Sequence, residues 1–362
     1  MPVCDNMSPL VSVVILNYNR RLMLKSCLES VQKQKGTDFE VVVVDNGSTD
    51  GSVEMVQRDF SGVKIVVNER NLGYAEGNNR GLSVARGKYV VFLNNDAYPA
   101  DGWLSSLVST VKSSGKVAIV GSKVFRRETN LLESAGGWIE YPLGDAPPRA
   151  YLKPDYKKYN KQEEVAYVSG AALLVKKDIM EKLEGFDPMY FCYHEETDFC
   201  WRARLAGYSV IYDPEAVVHH YGSFTTGKLS AQRIYWQSRN RMITNMKNFE
   251  ANRLINWFVY EIANLFMILL GGLAFKEYRK YAVSYLKACF WVLLHIPQIL
   301  VKRGKLQKLR RVRDEEILRL HKKTPLRTII SRYLKMVRTK SYILFAEENT
   351  DDCTVAQNEL KS

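Results

Sequence analysis

Cysteine is scarce in this chain and shows no pattern typical of a disulfide framework or a zinc site. The six cysteines lie far apart, and no two of them form a CxxC pair. Small disulfide-stabilised domains and zinc ribbons depend on such spacings, so we expect reduced thiols in a cytosolic setting. A basic leader and a small-residue cleavage site are also missing around the first apolar run, "LVSVVILNY". We therefore interpret this run as a strand and not as a signal peptide.

Positive charge is in excess, and the excess is concentrated in one C-terminal segment. The formal net charge is +13, and residues 301–340 contain fifteen Lys and Arg but three acidic residues. Nucleic-acid-binding proteins more often spread basic residues over a groove with aromatic residues between them, so no nucleic-acid partner is expected. Because the basic segment follows two apolar stretches, an anionic membrane surface is the favoured partner.

Five short apolar runs alternate with helix-compatible segments between residues 11 and 125. The runs are VSVVILNYN, FEVVVVDNGS, VKIVVNE, KYVVFLNND and KVAIVGSKV, and the helix-compatible segments are 20–33, 50–59, 76–86 and 101–113. This alternation predicts an α/β fold with a mostly parallel sheet and right-handed crossovers. Four of the five runs end in polar residues. Since the carboxyl ends of parallel strands share one sheet edge, these side chains should converge on a ligand.

The chain beyond residue 125 has a different character. Residues 126–165 are rich in Gly, Pro and Tyr and are interpreted as a long loop with short strands. A helix is predicted from Glu195 to Ala206, where Gly207 stops it. A strand is predicted from Ser209 to Tyr212.

Two apolar stretches, 254–275 and 281–301, are long enough to cross a bilayer. In the first stretch, however, Asn256, Glu261 and Asn264 fall in one arc of a helical wheel and leave a broad apolar face. A charge at the centre of a span disfavours insertion by about 2.5–3.5 kcal/mol. We therefore favour helices that lie in or shallowly under the membrane surface. The alternative is a pair of buried helices in a small soluble bundle.

Several polar residues at the predicted sheet edge have a chemical interpretation. Asp45 ends a buried strand, where a carboxylate can accept hydrogen bonds from ribose hydroxyls or a base N–H; the turn that follows it also has good helix-capping residues. Asn94 and Asp96 are oxygen ligands two residues apart beyond a strand end. They can hold Mg²⁺ or Mn²⁺ together with a diphosphate, or they can form an Asx turn.

A second group of candidates lies further along the chain. Glu195, Glu196 and Asp198 crowd three carboxylates into the first turn of the predicted helix. Such crowding raises carboxyl pKa values, as a general base requires, although acidic residues at a helix start also offset the helix dipole. Of the adjacent His219 and His220, strand alternation directs at most one into the site.

Seven motifs, in this order, resemble glycosyltransferase family 2. They are VVILNYNR, VVVVDNGSTDGS, NLGYAEGNNRGL, YVVFLNNDAYP, VSGAALLVKK, GFDPMYFCYHEETDFCWRARLAGY and AVVHHYGSFTTG. The resemblance covers roughly residues 10–250 and is strongest to the rhamnosyltransferase-like branch. It implies a GT-A fold, a nucleotide-sugar donor and a divalent metal ion.

The resemblance also implies roles for individual residues. For the nucleotide sugar these are Asn17, Asp45, Gly73 and Asn79, with Asn94 and Asn95 in the place of the first part of a DxD motif. Asp96 would bind the metal ion, and His220, whose spacing to Gly222 and Thr225 fits the family pattern, would add a metal or diphosphate contact. Gly170 and Ala171 would line the acceptor cleft, and the carboxylate cluster Glu195, Glu196 and Asp198 would supply catalysis.

Within that cluster, Glu196 would deprotonate the acceptor hydroxyl, and the reaction would invert the anomeric carbon. The sequence departs from the family at Asn94, where Asp is usual, and at Glu196, where the base is usually Asp. Both departures bear on the assignment of individual residues.

The resulting hypothesis is an enzyme at the cytosolic face of a membrane. It would move a sugar, rhamnose among the candidates, from a UDP- or dTDP-sugar to a lipid-linked or glycan acceptor. The expected division is a catalytic domain at 1–235, apolar helices at 236–310 and a basic then acidic tail at 311–362. The alternative is a non-catalytic scaffold that binds nucleotide sugars within a membrane glycan-assembly complex and does not need Glu196. RNA binding by residues 301–340 has charge alone in its favour.

Overall fold

The structure is a computed structural model, and it describes residues 8–222 and 230–339. Its strands are β1 Val11–Asn17, β2 Phe39–Asp45, β3 Lys64–Val67, β4 Tyr89–Asn94, β5 Ala97–Pro99, β6 Val117–Arg126, β7 Leu132–Ser134, β8 Glu140–Tyr141, β9 Glu163–Glu164, β10 Ala172–Lys176, β11 Ser209–His220 and β12 Lys322–Lys323. Its helices are α1 Arg21–Gln32, α2 Ser52–Asp59, α3 Gly73–Val84, α4 Trp103–Lys112, α5 Lys177–Lys182, α6 Glu195–Leu205, α7 Ala231–Asn248, α8 Ala251–Ala274, α9 Arg279–Leu294, α10 Ile296–Leu309, α11 Asp314–Leu318 and α12 Leu326–Thr339. Short 3₁₀ turns lie at Lys157–Tyr159, Pro188–Tyr190 and Lys276–Tyr278.

A central mixed sheet has the strand order β3-β2-β1-β4-β10-β6-β11-β5. The strands β3, β2, β1 and β4 are parallel, and β10 runs antiparallel between β4 and β6. In the register of β1, Asn17 lies opposite Asp45 of β2, and Leu16 lies opposite Asn94 of β4. The predicted mostly parallel sheet is therefore confirmed, and the polar strand ends do meet at one edge.

The apolar runs form strands because both faces of the sheet are covered. One face of β1 and β4 packs against α1 and α4, with Leu24, Leu28 and Trp103 fully buried. The other face packs against α3 and the 165–210 region, where Phe92 contacts Phe186 edge to face. A strand buried on both faces reads as a continuous run of Val and Ile, as the sequence does here.

Strand β11 is longer than predicted, since it continues from Ser209 past Tyr212 to His220. Its register to β6 shifts between Asp213 and Val217, around Pro214, which has no N–H to donate to a ladder. The carboxylate of Asp213 accepts hydrogen bonds from the hydroxyls of Ser106 and Thr110 and stabilises this irregularity. Beyond the bulge the strand resumes, and its register with β5 brings His220 opposite Ala97.

The apolar stretches form three helices. Among the described residues, α8 is long and apolar enough to cross a bilayer, whereas α9 and α10 meet at a 67° bend. Pro297, in the first turn of α10, explains the break, since a proline ring cannot continue the hydrogen bonding of α9. The polar arc of α8 faces the protein: Glu261 accepts from Arg241 of α7, and Asn264 donates to Tyr285 of α9.

The opposite faces of these helices are apolar and solvent-exposed. The exposed large side chains are Ile255, Phe258, Val259, Ile262, Phe266, Leu270 and Leu273 on α8, Val283, Leu286, Phe290, Leu293 and Leu294 on α9, and Leu300, Val301 and Leu309 on α10. We call this set the apolar face. A contiguous apolar surface of this kind is unusual for a soluble monomer and is typical of a surface that binds a membrane or another protein.

The segment after α10 packs back onto α6 and β8. The N–H of Arg311 donates to the carbonyl of Leu205 at the end of α6, and β12 pairs with β8. The ring of His321 lies edge to face on Trp201, with centroids 5.1 Å apart. The expected domain boundary at 235/236 falls inside α7. The division into 1–235, 236–310 and 311–362 stays a prediction. Residues 340–362 lie outside the described part of the chain.

Candidate active site

A cavity of about 830 Å³ opens at the carboxyl edge of the sheet. Nine of the residues singled out from the sequence line it: Gly73, Asn94, Asn95, Asp96, Gly170, Ala171, Glu195, Glu196 and His220. They come from the ends of β4, α3, β10, α6 and β11, which are far apart in sequence. The fold therefore brings together at one surface most of the groups for which the motifs predict a function.

One corner of the cavity combines a carboxylate with an imidazole. Nε2 of His220 lies 3.0 Å from Oδ1 of Asp96 and 3.2 Å from Nδ2 of Asn94. Burial alone would lower the pKa of His220, but the carboxylates of Glu133 and Asp96 outweigh it and raise the pKa to about 10. Burial opposes ionisation of Asp96 as well, yet His220 keeps its pKa below the usual value.

The Asp96–His220 pair has the spacing of one side of a divalent cation site, and a cation bound there would displace the proton that Nε2 of His220 shares with Asp96. Two ligands at about 2.1 Å from an octahedral ion and at right angles to each other are about 3 Å apart, which is the separation found here. Within residues 8–222 and 230–339, no group of three or more His, Cys, Asp or Glu side chains is arranged to hold a metal ion. An ion at this corner would therefore need further oxygen ligands, which a diphosphate and water can supply.

Asn17 and Asp45 lie just behind the cavity wall and are buried. Nδ2 of Asn17 donates to Asp45 at 3.0 Å and to Ser48 at 3.2 Å, and its Oδ1 accepts from Asn95 at 2.7 Å. The second oxygen of Asp45 accepts from the N–H of Ser48. These bonds fix the loop after β2 to the end of β4, so the positions of Asn95 and of that loop depend on Asn17 and Asp45.

Asn79, which was predicted to contact the nucleotide sugar, instead binds the backbone of Phe186. Its amide donates to the carbonyl of Phe186 and accepts from the N–H of the same residue. A side chain that completes both backbone bonds of one residue acts as a strand partner. In this structure Asn79 fastens α3 to the Gly185–Phe186 turn and does not line the cavity.

Glu195 and Glu196 open helix α6 on the floor of the cavity. Each has one carboxylate oxygen that is buried without a hydrogen-bond partner among the described residues. Burial raises the pKa of Glu196 to about 7, although its N-terminal position in the helix opposes this. Burial, together with the neighbouring Glu196, raises the pKa of Glu195 well above its ordinary value. Near neutral pH, Glu196 is therefore the member of the pair poised to exchange a proton.

Asp198 lies on another face of α6 and does not line the cavity. It is fully buried, and its carboxylate binds Nε of Arg202 at 2.7 Å and Nζ of Lys247 at 3.1 Å. Burial opposes the charge, but Lys247 and Arg202 lower the pKa of Asp198 below its usual value. The same lysine pairs with Asp187 at 2.7 Å, and Asp187 also binds Lys302 of α10. This network of ion pairs joins the first turn of α6 to α7 and α10.

Gly170 and Ala171 form the wall beside Glu196. The carbonyl of Gly170 accepts a 2.6 Å hydrogen bond from the hydroxyl of Tyr74. A side chain at Gly170 would lie 3.2 Å from that hydroxyl and 3.6 Å from Cγ of Glu196, so glycine keeps the space in front of the carboxylate open.

Several cavity residues had not been singled out from the sequence. Glu133 binds the second ring nitrogen of His220. Among the further lining residues are Tyr74, Arg126, Phe191, Tyr193, Arg233 and Trp236. The aromatic richness of "MYFCYHEE" was a visible signal for Phe191 and Tyr193. Glu133 lies in the irregular 126–165 region, where no periodicity or motif marks it. Thr225, used to select His220 over His219, lies outside the described residues.

Known proteins resemble both the sequence and the fold. Residues 12–184 match the family described as Glycosyl transferase family 2. The N-acetylglucosaminyl-diphospho-decaprenol L-rhamnosyltransferase of Mycobacterium tuberculosis is 25% identical over 293 residues, which cover 75% of this chain and 93% of that protein.

Two solved structures share the fold. A mannosyltransferase, PcManGT from Pyrobaculum calidifontis, in complex with GDP-Man and Mn²⁺, superposes with a TM-score of 0.51 and 18% identity, covering 92% of this chain and 87% of that one. GalNAc-T7 with UDP, GalNAc and Mn²⁺ superposes with a TM-score of 0.58 and 16% identity, covering 71% of this chain and 51% of that one. The family match over residues 12–184 and the rhamnosyltransferase relative support a nucleotide-sugar-dependent glycosyltransferase of the family-2 type, and the two solved structures show the GT-A fold.

Proposed function

We propose that this protein is an inverting glycosyltransferase that moves a sugar from a UDP- or dTDP-sugar to the hydroxyl of a lipid-linked acceptor. The observation that carries the proposal is the combination, in one cavity, of the Asp96–His220 corner and the Glu196 carboxyl with its pKa near 7. The first suits a donor diphosphate with a divalent cation, and the second suits the activation of an acceptor hydroxyl. The similarity to a rhamnosyltransferase whose name specifies a diphospho-decaprenol acceptor supports the acceptor class.

At the donor end, Asp96 and His220 would hold Mg²⁺ or Mn²⁺, and Asn94 would contact the diphosphate. A divalent cation in this position neutralises charge that builds up on the leaving diphosphate. Gly73 and Asn95 would border the nucleotide, and Asn17 and Asp45 would keep the loops that contact it in place. Rhamnose is the first sugar to test, because of the relative named above.

At the acceptor end, Glu196 would act as the general base. Its carboxylate takes the proton of the acceptor hydroxyl while the oxygen attacks the anomeric carbon of the donor. The new C–O bond forms as the bond between that carbon and the diphosphate oxygen breaks, and the electron pair leaves with the nucleoside diphosphate. Attack from the side opposite the leaving group inverts the anomeric configuration. Glu195, whose pKa is raised by burial and by Glu196, neighbours the base in this scheme, and Asp198 holds α6 in place.

The apolar face would hold the enzyme at the cytosolic side of a membrane. Its side chains belong to α8, α9 and α10, and basic residues of 301–340 follow directly, as expected for a protein that binds anionic lipid. The burial of Glu261 and Asn264 against α7 and α9 agrees with helices that lie against the surface with their polar arc inward. A lipid-linked acceptor would then be available to the cavity in the plane of the membrane.

The test is a panel of UDP-, dTDP- and GDP-sugars assayed for release of free nucleoside diphosphate. Each donor is supplied with Mn²⁺, Mg²⁺ or EDTA and with a membrane lipid extract as acceptor, using the wild type and Glu196→Gln. Metal-dependent release from one donor, lost in Glu196→Gln, is the expected result. Binding of a nucleotide sugar without turnover, unchanged in Glu196→Gln, would instead favour a non-catalytic scaffold.

A further inference from the structure

One wall of the cavity is aromatic and cationic and has no part in the donor and base chemistry described above. It consists of Phe191, Tyr193, Arg233 and Trp236, and we call it the α7 wall, after the helix that carries the last two. The rings of Phe191 and Trp236 have centroids 5.2 Å apart at an interplanar angle of 33°, and Tyr193 lies 6.4 Å from Trp236. The three rings lie close together and form an aromatic patch on this side of the cavity.

Arg233 supplies the positive charge of this wall. Its guanidinium lies 5.4 Å from the centre of the Tyr193 ring. Its Nε is buried and has no hydrogen-bond partner within the part of the chain that the structure describes. Several arginines of the described residues share this property, but of these only Arg126 and Arg233 line the cavity, where a ligand oxygen can reach the free N–H.

The backbone that carries Phe191 and Tyr193 is held in an uncommon conformation. The φ angles are +61° at Phe191, +71° at Tyr193 and +67° at His194, in the left-handed region that non-glycine residues seldom adopt. The side-chain amide of Asn240 stabilises this segment by donating to the carbonyls of Tyr190, Cys192 and Tyr193. Strained segments persist where the surroundings determine them, and they cluster at functional sites.

Tyr193 and Arg233 place the α7 wall beside the base, while Phe191 at its other end packs against Gly73. Tyr193 and His194 directly precede Glu195 and Glu196 in the chain, and Arg233 is close enough to Cys192 to influence its pKa. The other two arginines of the cavity lie at the donor corner: Arg126 is paired in register with His220, and Arg20 acts on the charge of Asp96. Arg233 is the arginine of the cavity lining that lies near Cys192 and Tyr193.

We propose that the α7 wall is the acceptor subsite and that it binds a pyranose joined to a lipid through a diphosphate. The apolar face of the sugar ring packs on Trp236 and Phe191, and Arg233 binds the phosphate. This assignment rests on the proposed glycosyltransferase function and specifies its acceptor. An aromatic patch alone would suit any glycan, whereas the unsatisfied arginine beside it selects an anionic acceptor.

The lipid portion has an apolar surface to follow out of the cavity. Helix α7 packs along α9, where the guanidinium of Arg239 lies 4.7 Å from the ring centre of Trp291. Phe290, Leu293 and Leu294 of α9 are exposed members of the apolar face. When the sugar of the acceptor lies on Trp236 of α7, the neighbouring helix α9 offers exposed apolar side chains to the lipid chain of the acceptor.

The test measures acceptor binding by calorimetry in the absence of donor, with two probes that share one sugar. The first is N-acetylglucosaminyl diphosphate farnesol, and the second is the neutral octyl N-acetylglucosaminide. Arg233→Gln should weaken the diphosphate probe about tenfold or more, the factor expected for a lost charge-assisted hydrogen bond, and leave the octyl probe unchanged. Trp236→Leu should weaken both probes about 3- to 10-fold, as expected for a lost aromatic contact. Arg233→Lys and Trp236→Phe should restore most of the binding.

The outcomes separate this subsite from the proposed function. If Arg233→Gln weakens both probes equally, or if the wild type binds neither, the subsite is wrong. If the wild type binds the diphosphate probe but forms no product with any donor, the subsite stands and the proposed reaction fails. A raised KM for the donor in both variants, with normal acceptor binding, would assign the α7 wall to the donor and also overturn the proposal.

Discussion

Glu133 holds the far nitrogen of His220: Nδ1 lies 3.0 Å from Oε1 and 3.1 Å from Oε2 of that carboxylate. The near nitrogen of the same ring faces Asp96. Histidines that bind metals commonly donate their second N–H to a carboxylate, which fixes the ring and the tautomer. The geometry at β7 and β11 therefore has the form expected of a supported metal ligand.

Replacing Glu133 should weaken divalent cation binding. Loss of such a supporting carboxylate typically costs about 10–100-fold in metal affinity, so we expect Glu133→Ala to show a decrease of that size. Glu133→Gln retains an oxygen that can accept from Nδ1–H and should fall between the wild type and Ala. The affinity for Mn²⁺ is measured by electron paramagnetic resonance in the presence of a nucleoside diphosphate. Glu181→Ala, at an exposed site on α5, is the control; equal affinity in all variants would contradict the prediction.

The two glutamates at the start of α6 should respond differently to the same substitution. Glu196→Gln removes the base and should lower kcat about 10²–10⁴-fold. Burial and the neighbouring Glu196 raise the pKa of Glu195 well above the ordinary value, which favours its uncharged form, and Glu195→Gln should therefore retain most of the activity. Comparable losses in the two variants would show that the assignment of a single base is wrong.

The pH dependence of the reaction should follow the same carboxyl. Burial raises the pKa of Glu196 to about 7, and the base is active in its charged form. Activity should therefore be lost as the pH falls through about 7 and should level off above it. The kcat profile of the wild type between pH 5 and 9 measures this, with Glu195→Gln as the matched variant that should keep the same midpoint. A profile that stays flat down to pH 5 would contradict it.

Asp198 should matter for stability more strongly than for substrate binding. Asp198→Asn leaves Lys247 and Arg202 buried with one negative charge fewer, and breaking a buried ion pair costs about 3–5 kcal/mol of the free energy of unfolding. Denaturant unfolding should show this loss, while Asp59→Asn at a solvent-exposed pair should leave the midpoint unchanged. A stable Asp198→Asn protein without activity would return Asp198 to the catalytic residues.

Membrane binding should depend on the exposed side chains of the apolar face. Phe258, Phe266 and Phe290 are 59%, 61% and 63% exposed, so polar replacements should leave the fold intact. Each contributes up to about 1.5–3 kcal/mol when it moves from water into hydrocarbon, and the triple replacement by Ser should abolish sedimentation with anionic vesicles. Leu22→Ser, at a 73% exposed position on α1, is the control. Unchanged sedimentation of the triple variant would refute membrane attachment by this face.

Deletion of residues 250–362 would not be a clean test of membrane binding by the apolar face. The deletion would remove Lys302 from Asp187 and expose Trp201, which is covered by His321. A truncated protein that left the membrane could therefore have lost its fold as well as its anchor.

The sequence predicts the sheet and the polar edge of the cavity because both follow from chain direction. Runs of Val and Ile buried on two faces identify β1, β2 and β4, and parallel strands necessarily carry their polar ends to the same edge. Asn94 and Asp96 can accordingly be named from the strand pattern, whereas the choice of His220 over His219 depends on the family resemblance.

Other parts of the site could not be predicted, for identifiable reasons. Glu133 sits in a region with no periodicity, and Asn240 acts through three carbonyls that a sequence pattern does not reveal. Strand β11 continues beyond Pro214 because a side-chain carboxylate, Asp213, stabilises the bulge. The sequence was sufficient to predict that Glu196 and Asp198 lie on different faces of α6, because a two-residue step on a helix is a rotation of about 200°.

The return of the chain from α10 to α6 has a consequence for biosynthesis. Residues 311–323 cover Trp201 and pair with β8, so the half of the protein that binds the nucleotide sugar is closed by residues translated after the apolar helices. On the ribosome, α8 and α9 emerge while the base helix is still uncovered. The order of translation therefore brings the exposed apolar side chains of these helices out of the ribosome before the segment that covers Trp201.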